Sequence, residues 1–178
     1  MNNETHNLKL STCFAGNTPV GEFVEHKGRK MLVVDNSTCK AGLDDWVGGL
    51  IDGICTSYVD DMRCLFIEMY EFNLDISDWD VSNVTNMSCM FAHATEFNQN
   101  IGTWDVSSVT DMSCMFNDAY AFNQDIGTWD VSNVENMGCM FWSAAAFNQP
   151  IGNWNLSSVK NKEDMFFGTT METNDDDE

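Results

Sequence analysis

A phrase of 25 residues recurs along the chain, and no other feature constrains the fold as strongly. "FNQNIGTWDVSSVTDMSCMF" at Phe97–Phe116 returns as "FNQDIGTWDVSNVENMGCMF" at Phe122–Phe141. Aligned on isoleucine, the units begin at Ile51, Ile76, Ile101, Ile126 and Ile151. The first, "IDGICTSYVDDMRCLFIEMYEFNLD", is degenerate, and the last stops at "MFFGTT". One unit of this length cannot bury its own apolar face, so neighbours must stack, with atypical units at the ends.

Within a unit the apolar spacing changes. Trp129 and Val131 flank Asp130 with a period of two, which predicts a short strand with one face inward. Val109, Met112, Met115, Phe116, Ala119 and Phe122 follow steps of three and one, which predicts one stripe of a short helix. Ser107, Ser108 and Thr110 precede that stripe and Asp111 stands in its first turn, as helix entries prefer. "FNQ" then begins a turn. Strands repeating in this way would lie about 4.8 Å apart, whereas helices pack no closer than about 8–10 Å. The mismatch bends the stack, with strands on the concave side and helices on the convex side. A 3₁₀-type turn in place of the helix would leave it straighter. The expected fold is therefore an α/β repeat, a curved solenoid over residues 51–168.

The first fifty residues differ. "GEFVEHKGRKMLVVD" predicts a β-hairpin, Glu22–Glu25 and Lys30–Val34, with Gly28 in the turn. Leu43, Trp46, Val47 and Leu50 form a helical stripe. Residues 20–50 thus read as an N-terminal hairpin and helix cap over the first open edge of the stack. Residues 1–19 read as a flexible N-terminus and 169–178 as an acidic disordered tail.

Charge narrows the partners. The formal net charge is −20, and no Lys or Arg lies between Ile76 and Val159. Like-charge repulsion disfavours nucleic acid and anionic membrane surfaces. No apolar run reaches the ~20 residues of a membrane helix, and no membrane insertion is expected. The opening "MNNETHNLKLSTCFAG" lacks the basic and apolar regions of a secretory leader. With seven cysteines, an odd count, this favours reduced thiols in a cytoplasmic compartment.

A repeat turns each position into a column. Trp79, Trp104, Trp129 and Trp154 are expected to stack inward. Asn73, Asn98, Asn123 and Asn148 follow Phe in each complete unit and are expected to be buried, bonding backbone amides of their own or the next coil. Asp80, Asp105 and Asp130, continued by Asn155, stand between inward residues and must point out from the concave face. They suit a wet surface, a strip for a basic partner, or Ca²⁺, although "DWDVSNVTNMSC" lacks the Gly and Glu of a calcium loop. Cys64, Cys89, Cys114 and Cys139 form a further column. On helices about 10 Å apart these thiols would exceed the ~7 Å disulfide limit, so they are expected to be free; a tighter coil would allow redox linkage.

No zincin, P-loop, nucleophile-elbow or dinucleotide motif is present. No catalytic residue, metal site or cofactor is assigned, and the chain is not expected to be an enzyme. Carboxylate pairs of the glycosidase kind arise by chance among 28 acidic residues, which keeps an acidic-site hydrolase as a distant alternative.

The pattern I-x-x-W-x-V-x-x-V resembles the leucine-rich-repeat frame. The fuller "FNQDIGTWDVSNV" with "NMSCMF" is similar to the tandem repeat of BspA-like leucine-rich-repeat surface proteins, over Ile51 to Phe167. That resemblance implies a leucine-rich-repeat-like solenoid serving adhesion or protein binding at a cell surface. The function expected is non-catalytic, with a basic protein docked on the concave face by a monomer. A calcium-dependent adhesive module is the alternative.

Overall fold

The computed structural model describes residues 15–40, 42, 47, 49 and 53–171. Strand β1 (Phe23–His26) pairs antiparallel with β2 (Arg29–Asp35), with His26 opposite Arg29. The two turn residues, Lys27 and Gly28, both take positive φ, 50° and 75°. That is the twist a two-residue hairpin requires. Strand β1 runs one residue later than the expected Glu22–Glu25, and β2 extends one residue beyond each end of the expected Lys30–Val34. Strand β3 (Gly53–Tyr58) adds in parallel to β2, so the opening of the first repeat unit belongs to the N-terminal sheet.

The pleat of β2 divides the interior in two. Met31 and Val33 pack with Ala15 and Cys55, whereas Val34 joins Ile54 in the main core, which continues through the repeats. Ala15 donates its N–H to Ser57 Oγ at 3.0 Å, and Tyr58 donates its hydroxyl to Gly16 O at 2.9 Å. Residues 15 and 16, expected within a flexible 1–19 segment, are therefore tied down; residues 1–14 lie outside the described residues, as do 172–178 of the expected tail. Of the expected helical stripe, Leu43, Trp46 and Leu50 also lie outside them, and Val47 is exposed.

Beyond the sheet, the expected strand-and-helix solenoid does not form. Among the described residues helix is confined to Cys39, Lys40, Gly42 and Val47, and the only strands are β1, β2 and β3. The repeats are coils of consecutive turns, stacked in register and counted here from Val59, Val84, Val109, Val134 and Val159. Single parallel bridges link Asp61, Asn86, Asp111, Asn136 and Asn161.

The physical reason lies in the destination of the amides. Met115 N–H bonds Met112 O, Asn117 N–H bonds Cys114 O, and Ala119 N–H bonds Phe116 O, all three residues back. The intervening amides of Met112, Cys114, Phe116 and Asp118 leave the coil and bond Asn136, Gly138, Met140 and Trp142 of the next one at 2.8–2.9 Å. Cys114 and Asp118 hold φ of 53° and 52°, which no α-helix accommodates. The buried stripe is real: Val109, Met112, Met115, Phe116, Ala119 and Phe122 are all fully buried. Its period of three comes from tandem turns. The predicted strand fails differently. Trp129 and Val131 are buried and Asp130 exposed, but around them the coils are joined by a side chain and not by a ladder. Trp129 donates its indole N–H to Ile101 O, Trp104 to Ile76 O, and Trp154 to Ile126 O, each at 3.2 Å.

The same register recurs in each coil, so peptide units line up along the stack. Cys64, Cys89, Cys114 and Cys139 donate forward to Ser88, Ser113, Gly138 and Glu163. Three parallel columns start from Met62, Phe66 and Glu68, giving four in all. In each peptide of these four columns the carbonyl faces the previous coil and the N–H the next, whereas the amides of Thr85, Thr110, Glu135 and Lys160 donate back to Asp60, Thr85, Thr110 and Glu135.

Two files of phenylalanine fill the centre. Phe66, Phe91, Phe116, Phe141 and Phe166 succeed one another at 5.2–5.7 Å between ring centroids. Phe72, Phe97, Phe122 and Phe147 do so at 5.9 Å, and within a coil the two rings lie 3.9–4.0 Å apart. Phe91, Phe116 and Phe141 in one file and Phe97 and Phe122 in the other are fully buried with a ring above and below, and so tie coil to coil.

Candidate functional site

The candidate site is the set of polar columns on the coil surface, and each column forms for a local reason. Asp80 Oδ1 accepts the N–H and hydroxyl of Ser82, Asp105 those of Ser107, Asp130 the N–H of Ser132, and Asn155 the N–H of Ser157. Each heads the turn that places Val81, Val106 and Val131 inward, a side-chain cap two residues ahead of its donor. The Ser132 hydroxyl, and then its amide, hold the Asp130 carboxyl below its ordinary value. Asp80 is buried at 8% exposure, beside the N-terminal sheet, whereas Asp105, Asp130 and Asn155 are exposed. The column therefore exists as a row, but without the concave strand face on which it was expected.

Two further columns share this device. Asp75, Asn100 and Asp125 accept from the amides of Ser77, Gly102 and Gly127. Asp61, Asn86, Asp111, Asn136 and Asn161 accept from Arg63, Ser88, Ser113, Gly138 and Glu163. Asp and Asn alternate because the turn needs an acceptor oxygen and not a charge. Sequence reading missed these heads; an Asp or Asn recurring two residues before a small residue at a 25-residue step is the signal that would have found them.

The asparagine column joins neighbouring coils. Asn73 Oδ1 accepts the N–H of Asn98, Asn98 that of Asn123, and Asn123 that of Asn148, each at 3.0 Å. Gln99, Gln124 and Gln149 add bonds to both oxygens of the preceding asparagine. The bonds go to the next coil's amides, but the side chains are not buried as expected: Asn98 and Asn123 are half-buried, Asn73 and Asn148 exposed. Asn123→Ala strips the acceptor from two donors, and urea unfolding should show a loss of about 1–2 kcal/mol.

Of the remaining columns, the tryptophans are buried at 1–8% exposure and spent on holding the coils. The Cys64–Cys139 column corrects its expected geometry: no helices separate the thiols, and their coils are hydrogen-bonded directly at 2.8–2.9 Å. At the N-terminal end, His26 and Lys27 lie 3.4 and 4.0 Å from Asp78. Burial, more than any charge, lowers the His26 pKa. Further along, Lys160 pairs with Glu135 at 2.7 Å. Among the described residues no group of three or more His, Cys, Asp or Glu is placed to hold a metal ion. No described helix is long and apolar enough to cross a membrane.

The family described as "Mycoplasma protein of unknown function, DUF285" matches residues 60–177. The chain belongs to that family. No curated protein and no solved structure matches it. The DUF285 match begins at Asp60, whose carbonyl accepts the amide of Thr85 and whose own N–H is capped by Asn36 Oδ1 at 2.9 Å. It therefore covers the coils and leaves the hairpin and β3 outside.

Proposed function

We propose that the protein is a non-catalytic binding module that docks a basic protein on the exposed row of Asp105 and Asp130. One observation carries this reading. Asn155 forms the same turn as the aspartates of its column, so their charge is surplus to folding. Retaining it sets like charges about one coil apart, at roughly 0.9 kcal/mol per neighbouring pair in water. No Lys or Arg between Ile76 and Val159 relieves that repulsion, and a cationic partner would. The likeness of the repeat to BspA-like surface proteins supports the same class of role.

The test follows from the interchange. The Asp105→Asn/Asp130→Asn variant should keep its thermal midpoint, because Asn caps the turn, whereas Asp130→Ala should lower it. Proteins retained by the immobilised wild-type chain should elute as ionic strength rises, and the double variant should not retain them. Equal recovery on both chains at every salt concentration rejects the reading.

A further inference from the structure

The cysteine column holds chemistry that the turns do not need. Cys64, Cys89, Cys114 and Cys139 occupy one position in successive coils, and all four take left-handed φ, 53–55°. Equal backbone conformation in register aims the four Cα–Cβ bonds the same way. Each cysteine N–H bonds the residue just before the next cysteine, or before Asp164 in the last coil, at 2.8–2.9 Å. Cys64 is exposed and the other three are half-buried, so the row is reachable from solvent. The thiols also sense one another. Burial, and then Cys114 and Cys64, push the Cys89 thiol up to about 12; burial and then Cys114 raise Cys139.

Spacing decides which chemistry fits. Backbones hydrogen-bonded side by side lie about 4.8 Å apart, and parallel Cβ atoms keep that separation. A disulfide wants Cβ atoms about 3.8 Å apart and sulfurs about 2.05 Å apart. Closing one would pull the coils together by about 1 Å against the amide bonds beside it. Two metal–sulfur bonds of about 2.3 Å in a line span about 4.6 Å, close to the coil spacing. A linear site needs only two donors, whereas zinc wants four converging ones, and among the described residues no such convergence exists. Soft thiolates select soft monovalent cations such as Cu(I) over hard ones.

We propose that this column is a binding site for monovalent thiophilic cations, of the Cu(I) class, held in line between thiolates of successive coils. In each two-thiol site two S–H bonds break, two sulfur–metal bonds form, and two protons leave to solvent; no electron is transferred. Where adjacent gaps fill, Cys89 and Cys114 bridge two cations, so the four thiolates offer three gaps. A bound metal deprotonates a coordinating thiol outright.

Ag(I), which is redox-inert and equally soft, is the probe. The reduced full chain, free of small thiols and air, is titrated with Ag(I) and followed by thiolate-to-metal ultraviolet absorption and native mass spectrometry. The comparison is Cys89→Ser/Cys114→Ser. Serine is accepted at this kind of backbone position, since Ser143 holds φ of 54° in the same series of turns, and a thermal melt checks folding. The wild-type chain is expected to bind at least two more Ag(I) ions than the variant, with at least ten-fold higher apparent affinity. Equal uptake by the folded variant overturns the site. So does ready pairing of the column cysteines under a small-molecule disulfide oxidant, seen as the loss of two hydrogens per pair, because it would show that the coils close to disulfide distance.

Discussion

Phe116→Ala should destabilise the chain by about 4 kcal/mol, within the range for removal of a buried ring. Phe116 is fully buried and stacks on three other phenylalanines: Phe91 at 5.6 Å, Phe141 at 5.5 Å and Phe122 at 3.9 Å. Its removal opens a void in the middle of both files, bounded by rings that belong to three different coils. Those coils are fixed in register by the amide columns, so they cannot collapse to fill it. Urea unfolding followed by tryptophan fluorescence measures the loss. A value under about 1 kcal/mol would mean that the coils relax freely around the void, contrary to the rigid register described above.

Trp129→Ala should cost a similar amount, about 3–5 kcal/mol. The indole is buried at 4% exposure, lies parallel to Trp154 at 6.5 Å, and caps Ile101 O in the preceding coil. Where the predicted strand ladder is missing, this bond takes its place, so the substitution removes packing and leaves a buried carbonyl without a donor. Trp129→Phe separates the two contributions: it keeps most of the ring and loses the donor, and should cost about 1–2 kcal/mol. Trp154→Ala, at 8% exposure and followed by a single shorter coil, should cost less than Trp129→Ala. Equal losses at the two positions would show that the coils do not share their stability along the stack.

The stacking and most of the burial pattern were legible from residues. A 25-residue step recurring from Ile76 to Ile151 leaves little alternative to in-register coils, and the inward residues at Val109, Met112, Phe116 and Trp129 follow from it. The hydrogen bonding was not legible. Apolar residues three apart serve an α-helix, a 3₁₀ turn or a run of tandem turns equally well. What separates these is the sign of φ at Cys114 and Asp118, and neither residue announces it as glycine would. With the helix misassigned, the thiols of Cys64–Cys139 were set about 10 Å apart, when their coils are in fact directly bonded. In the polar columns, Asn123 could be read as a coil-to-coil link, but the role of Asp80, Asp105 and Asp130 as turn heads was hidden behind their charge. An acceptor oxygen is common to Asp and Asn, and only the mixture within one column reveals which property the fold uses.

The forward-facing amides have an electrical consequence. In an ordinary sheet strand dipoles alternate and cancel, but here four files of peptide units add head to tail across five coils and are only partly offset by the backward-donating amides of Thr85, Thr110, Glu135 and Lys160 and of Glu96, Ala121 and Ala146. Each file resembles a short helix macrodipole lying along the stack axis, with its positive pole at the last coil. There the same register aims the N–H groups of Lys162, Asp164, Phe166 and Gly168 outward, with no acceptor among the described residues. In a molecule of net charge −20, the last coil thus sets outward-facing backbone N–H groups beside the exposed carboxylates of Glu163 and Asp164, so opposite partial and full charges meet at that end.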